Sequence, residues 1–197
     1  MRTTRRGLFS ALVGGGIFAA SYEATRVIRY ARRLSGTQPQ RMNENTRELA
    51  SVFIADSTCG ACRNPDLPAI LERLKILLES RAREHGFSFA ATGIAVDLDA
   101  APGIEFLQKF GQFNEVISGN GYLGVGCRRY LQDIPGQAAT PQVLVVSRNV
   151  IRRAQTGATV DDERAILRKV GLVALRDWRD LGAPLPNLGS VVSATHT

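Results

Sequence analysis

Cysteine is too scarce in this chain to build its fold. Three cysteines in 197 residues cannot staple a domain of this size, and an odd number leaves at least one thiol unpaired. A disulfide-scaffolded architecture is therefore excluded. Basic surplus is just as scarce beyond the first 41 residues. Of 25 basic and 18 acidic residues, eight arginines and Glu23 lie within 1–41, which leaves 17 of each sign in the remainder. The net charge of +7 thus belongs to a leader and not to a nucleic-acid-binding face, and no nucleic-acid partner is expected. Long apolar runs are lacking too. Gly7–Ser21 offers roughly 15 mildly apolar residues, short of the full span of about 20. No internal repeat is present. What remains is enough chain for one α/β domain with a real core and a short appendage.

The appendage reads as a targeting segment. Arg2, Arg5 and Arg6 precede the apolar run, as in the charged and apolar regions of a signal peptide. Thr4–Phe9 (TRRGLF) resembles the twin-arginine export signal. Ala19–Ser21 is a passable small-residue cleavage site. Beyond it, Arg26, Arg29, Arg32 and Arg33 alternate with apolar residues in a stretch suited to an anionic membrane surface. The expected organisation is a signal or membrane anchor over 1–34, a polar linker over 35–45, a folded domain over 46–181 and a loosely ordered tail over 182–197. The location implied is extracytoplasmic: membrane-anchored, periplasmic or secreted.

Within the domain the periodicity predicts alternating elements. Ser51–Ala55 (SVFIA) is a short buried strand, and a helix should run from about Gly60 to Glu84 with Leu67, Ile70, Leu71, Leu74, Leu77 and Leu78 on one face. Pro65 and Pro68 should distort its first turns. Phe87–Leu98 reads as a strand, Ala101–Phe113 as a helix, Glu115–Ser118 as a strand and Tyr122–Gln132 as helical. Gln142–Ser147 is a strongly apolar strand, which Arg148 and Asn149 should turn into a hairpin with Val150–Ala154. Thr159–Glu163 (TVDDE) carries an N-cap signature for a last helix reaching Asp180, with Leu175, Trp178 and Leu181 on its apolar face.

Cys59-Gly60-Ala61-Cys62 stands at the first strand-to-helix junction. A thiol at a helix start faces free N–H groups that favour its thiolate, and Arg63 adds a positive charge nearby. Two-residue spacing lets Cys62 reach back to attack a disulfide formed on Cys59. The same spacing is also half of a zinc site. Cys127 reads as a buried hydrophobe or a resolving thiol. His85, at a helix end, reads as a capping residue.

Thr140-Pro141, directly before the apolar strand, completes a pattern that resembles the thioredoxin superfamily, where such a pair with a cis bond faces the active cysteines. The inserted strand and helix of Glu115–Gln132 look like the superfamily's extracytoplasmic, membrane-tethered branch, which includes thiol reductases of cytochrome c maturation. The resemblance covers roughly residues 48–178. It implies an α/β thioredoxin-like fold, a central mixed sheet flanked by helices behind the N-terminal leader. It implies catalytic Cys59 and Cys62, substrate contact at Thr140 and Pro141, and support from Arg63 and Asp56. Partners would be protein thiols or disulfides, with the membrane reached through the N-terminus, and neither cofactor nor metal is required. Three departures stand out. Thr58 replaces the usual tryptophan, Gly60-Ala61 replaces the common proline, and Phe53 occupies the position of the buried acid, with Asp56 near it on another register. A non-catalytic binding module on the same fold stays open. A copper-handling protein fits less well, because that family spaces its cysteines by three residues and adds a histidine.

Overall fold

A computed structural model of the chain describes residues 26–29, 45–153, 157–186 and 188. The remainder of the expected leader, the linker to residue 44 and the end of the tail lie outside the described residues.

The centre of the sheet is β2 (Asn45–Ala55), parallel to β3 (Ser88–Ala95) on one side and antiparallel to β5 (Gln142–Arg153) on the other. From Leu49 to Ala55 β2 is buried on both faces, which is why SVFIA reads as an unbroken apolar run. Outward from β3 lie β4 (Glu115–Ser118), parallel, and β1 (Arg26–Arg29), antiparallel to β4. Outward from β5 lies β6 (Gly157–Val170), antiparallel. The order β1-β4-β3-β2-β5-β6 contains a βαβ unit followed by a ββα unit, the thioredoxin-like arrangement.

Helices α1 (Leu67–Glu84), α2 (Ala100–Gln108) and α3 (Leu172–Asp180) cover one face. Leu67, Ile70, Leu71, Leu74 and Leu78 form the buried stripe of α1, packing on Phe53, Val143 and Val145. Gly103 lets α2 come close to the sheet, since a Cβ there would stand 2.7 Å from that of Ala95. The opposite face carries Val52, Ile54, Ile94, Leu144 and Val146 under a short helical segment, 121–132, whose Cys127, Tyr130 and Leu131 point inward.

Four expectations need correction. Regular helix begins at Leu67, not Gly60: residues 59–63 form one isolated turn, and the chain re-enters helix with Pro68 in the first turn, where its missing N–H is harmless. Arg148 and Asn149 do not turn; β5 runs through them to Arg153, opposite Gly157. Residues 159–170 are strand rather than helix, so the last helix spans only Leu172–Asp180, and Leu181 is 74% exposed instead of packed beside Trp178. The start of the tail is tied down: Trp178 Nε1–H donates to the Pro184 carbonyl at 3.0 Å, and Ala183 and Leu188 are buried. Among the described residues no helix is long and apolar enough to cross a membrane.

Candidate functional site

Parallel strands β2 and β3 release their loops at one end of the sheet, the place where open α/β sheets form their sites. The loop after β2 is built by short-range polar chemistry. Asp56 Oδ1 accepts from the Thr58 N–H and hydroxyl, each at 2.7 Å, a turn in which an aspartate side chain stands in for backbone. The Cys59 N–H donates to the Asp56 carbonyl at 3.2 Å. Ser57 then anchors the loop to the end of β3, its N–H reaching Asp97 Oδ2 at 3.4 Å and its hydroxyl donating to Asp97 Oδ1. Asp97 also offers its carbonyl to the Gly121 N–H at 3.1 Å, so the inserted segment shares the same anchor.

Against this loop stands the start of β5. The Thr140–Pro141 bond is cis. The Pro141 carbonyl accepts from the Gly171 N–H at 2.8 Å, while the Thr140 carbonyl faces Cys59 Sγ at 3.4 Å. Cys59, Cys62, Thr140 and Pro141 therefore share one end of the sheet, with Asp56 shaping the loop. Arg63 is exposed, and its N–H closes the turn onto the Cys59 carbonyl at 3.1 Å.

The two thiols differ in environment. Cys59 is partly exposed and Cys62 is 1% exposed. Partial burial works against the Cys59 thiolate, but hydrogen bonds from the Thr140 side chain, the Cys62 thiol and the N–H groups of Cys62 and Ala61 outweigh it, and the Cys59 pKa falls below its ordinary value. Burial pushes Cys62 up to about 12, with the neighbouring Cys59 adding to the rise. Cys127 lies under the opposite face of the sheet among Ile94, Ile117 and Leu144, and burial pushes it up to about 11. Phe53 fills the position of the missing acid with an aromatic cluster, its ring 4.8 Å from Phe110 and 6.4 Å from Phe113.

His85 caps α1, its Nδ1 lying 2.9 Å from the Arg81 carbonyl. The 18 residues of α1 separate it from the cysteines by roughly 27 Å. No group of three or more His, Cys, Asp or Glu side chains able to hold a metal occurs among the described residues. A groove of about 1060 Å³ runs between α1 and α2, beside Lys75, Phe89, Ile104 and Phe113, and reaches none of the cysteines.

Sequence reasoning missed Asp97, Gln142 and Arg168 as parts of this end of the sheet. Gln142 alone left a trace, as a polar residue opening a strand of valines and leucine that proves fully buried.

No protein-family model matches the chain, and no curated protein does. Solved structures similar to it include a thiol-disulfide oxidoreductase from Bacteroides fragilis, 18% identical over 68% of this chain and 81% of that one, with a TM-score of 0.41. A secreted disulfide oxidoreductase of Mycobacterium tuberculosis, homologous to E. coli DsbE, is 17% identical over 68% of this chain and 81% of its own, with a TM-score of 0.32. Yeast Sco1 with copper bound is 11% identical over 63% and 82%, with a TM-score of 0.32.

Proposed function

We propose that this chain is a thiol–disulfide oxidoreductase acting on protein thiols or disulfides outside the cytoplasm, tethered or exported by its N-terminal segment. The observation that carries the reading is the unequal setting of two neighbouring thiols, Cys59 partly exposed against Thr140 and Cys62 buried behind it. That setting favours thiolate at the first and thiol at the second. A nucleophile needs the first and a resolving group held in reserve needs the second.

In the reducing direction the Cys59 thiolate attacks one sulfur of a partner disulfide. One sulfur–sulfur bond forms, the partner's bond breaks, and the leaving thiolate takes up a proton. Cys62 then gives up its proton and attacks the Cys59 sulfur, releasing the second partner thiolate. The partner gains two electrons and the Cys59–Cys62 pair loses them. Every step reverses for an oxidant, and the pair's reduction potential sets the direction. Thr140 and Pro141 present backbone beside Cys59, where an extended partner segment could pair with it. Asp56 and Arg63 act by holding the loop. The leader, linker and domain keep their proposed bounds of 1–34, 35–45 and 46–181, with the start of the 182–197 tail packed onto the domain.

A non-catalytic binding module draws support from Phe53, because no carboxylate stands there to take the Cys62 proton. One experiment separates the readings. Cys62→Ser, expressed in an oxidising compartment, should form reductant-sensitive adducts with partner proteins, while Cys59→Ser should form none. Adducts from Cys59→Ser alone would reverse the roles. Absence of adducts from both variants, with no disulfide in the parent protein at any glutathione ratio, would favour the binding module.

A further inference from the structure

On the face of the sheet opposite α1, one side chain of β6 reaches across to the loop that presents Thr140. Arg168 lies opposite Leu144 in the β5–β6 ladder. Its Nη2 donates to the carbonyls of Tyr130 at 2.8 Å and Ile134 at 3.1 Å, and its Nη1 donates to Gln142 Oε1 at 2.6 Å. Gln142 passes the connection on: its Nε2 donates to the carbonyls of Ala139 at 2.5 Å and Gln137 at 3.3 Å. Loop 133–141 is thus held at three carbonyls by two side chains, the last of them one residue before Thr140, and Arg168 also ties it to Tyr130 in the helical segment before it.

Two observations set this apart from an incidental surface arginine. The Arg168 Nε is buried with no hydrogen-bond partner, a cost accepted where the fork serves other groups. The loop also makes room for the guanidinium: at Gly136, with φ +149°, a Cβ would come within 2.6 Å of Nε. A lysine offers no planar fork to bridge three acceptors at fixed angles.

We propose that Arg168, acting through Gln142, is the positioning residue that holds Thr140 against Cys59 and so sustains the reactivity of that thiol. The proposal rests on the redox reading above. Arg168 touches no reacting atom. Its influence runs through the loop backbone, because the Thr140 side chain is one of the groups that favour the Cys59 thiolate. Loosening the loop leaves the backbone N–H groups of Ala61 and Cys62 in place but withdraws Thr140.

The test is the pH dependence of Cys59 alkylation by iodoacetamide in the reduced full-length chain, read at the Cys59 peptide by mass spectrometry. Arg168→Met should raise the midpoint by about half a unit and slow labelling at pH 7 about threefold. Arg168→Lys should recover little of it. An unchanged midpoint in a folded Arg168→Met protein overturns the proposal. Should that variant fail to fold, Gln142→Met carries the same expectation and the same overturning result. A parent protein whose Cys59 midpoint is not lowered would instead count against the redox reading itself, so the two failures are distinguishable.

Discussion

Cys59 Sγ stands 3.4 Å from the carbonyl oxygen of Thr140, 81 positions further along the chain. A thiol can donate to that carbonyl, and a thiolate cannot. The contact therefore belongs to the resting thiol, whereas the Thr140 side chain and the N–H groups of Ala61 and Cys62 serve the anion. Deprotonation of Cys59 exchanges one set of partners for another within the same few atoms.

Labelling order follows from that arrangement. With iodoacetamide near pH 7 the reduced chain should modify Cys59 first, leaving Cys62 and Cys127 largely untouched. Two effects act together: Cys59 has the lowered pKa and is partly exposed, while the other two are buried and raised to about 12 and about 11. The Cys59 rate should fall as pH drops through its lowered pKa. Timed quenching with peptide mass spectrometry checks this, and Cys62 reacting first would contradict it.

Alkaline stability is a second consequence. Cys62 and Cys127 keep their protons in the folded state well above the ordinary thiol value of 9.0. Between pH 9 and their folded values the unfolded chain therefore binds fewer protons than the native one, and stability falls as pH rises. For Cys127 alone, raised from 9.0 to about 11, the loss across that window is about 3 kcal/mol. Urea melts of the reduced chain at pH 8 and pH 11 should show the fall, and Cys127→Ala should lessen it. A flat profile would mean that these thiols open to solvent.

The fold class and the positions of the two motifs were legible in the sequence, while several element bounds around them were not. The C-x-x-C and Thr-Pro pairs could be read because both are local signals whose chemistry is fixed by neighbours in sequence. β6 misled for an identifiable reason. Asp161 pairs with Asn149 and Arg164 with Ser147, so three steps on β6 match two on β5; the same slip recurs between Ala165 and Leu167 against Val146 and Val145. Each extra residue breaks the alternation that marks a strand, and Asp162, at φ 48°, sits in the first of them. Ile166 and Leu167 then fall side by side, and TVDDE supplies a false helix start. Arg148 misled differently. It looked like a turn residue because its buried partner, Glu48, lies 100 positions away.

That pair supports a prediction of its own. Arg148 Nη2 and Glu48 Oε1 are 2.6 Å apart, and Glu163 Oε2 lies 3.6 Å from Nη1. Glu48→Ala leaves Arg148 with only the longer contact to Glu163, so it should cost about 3 kcal/mol, the low end for breaking a buried pair. The seven-residue rise from Glu48 to Ala55 separates it from the cysteine loop by roughly 23 Å. Urea midpoints should drop sharply while the Cys59 alkylation profile of the folded fraction stays unchanged. A shifted profile would show that this end of the sheet communicates with the site.

The domain boundary gives the last prediction. Every described buried side chain lies between Glu48 and Leu188. Within the first 41 residues only Arg26–Arg29 is described, as an edge strand on β4, which is itself four residues long. Deleting residues 1–41 should therefore leave the core complete and strip a short outer ladder, while removing all of the net +7 charge. The shortened chain should be soluble under reducing conditions, melt cooperatively and alkylate Cys59 with the parent's pH profile. Its melting temperature should drop by a few degrees at most, since a four-residue edge adds little to a sheet whose central strand is paired on both sides. An insoluble or non-cooperative product would place residues 1–41 inside the folding unit. The proposal of a separable targeting segment would then fall, whatever the cysteines do.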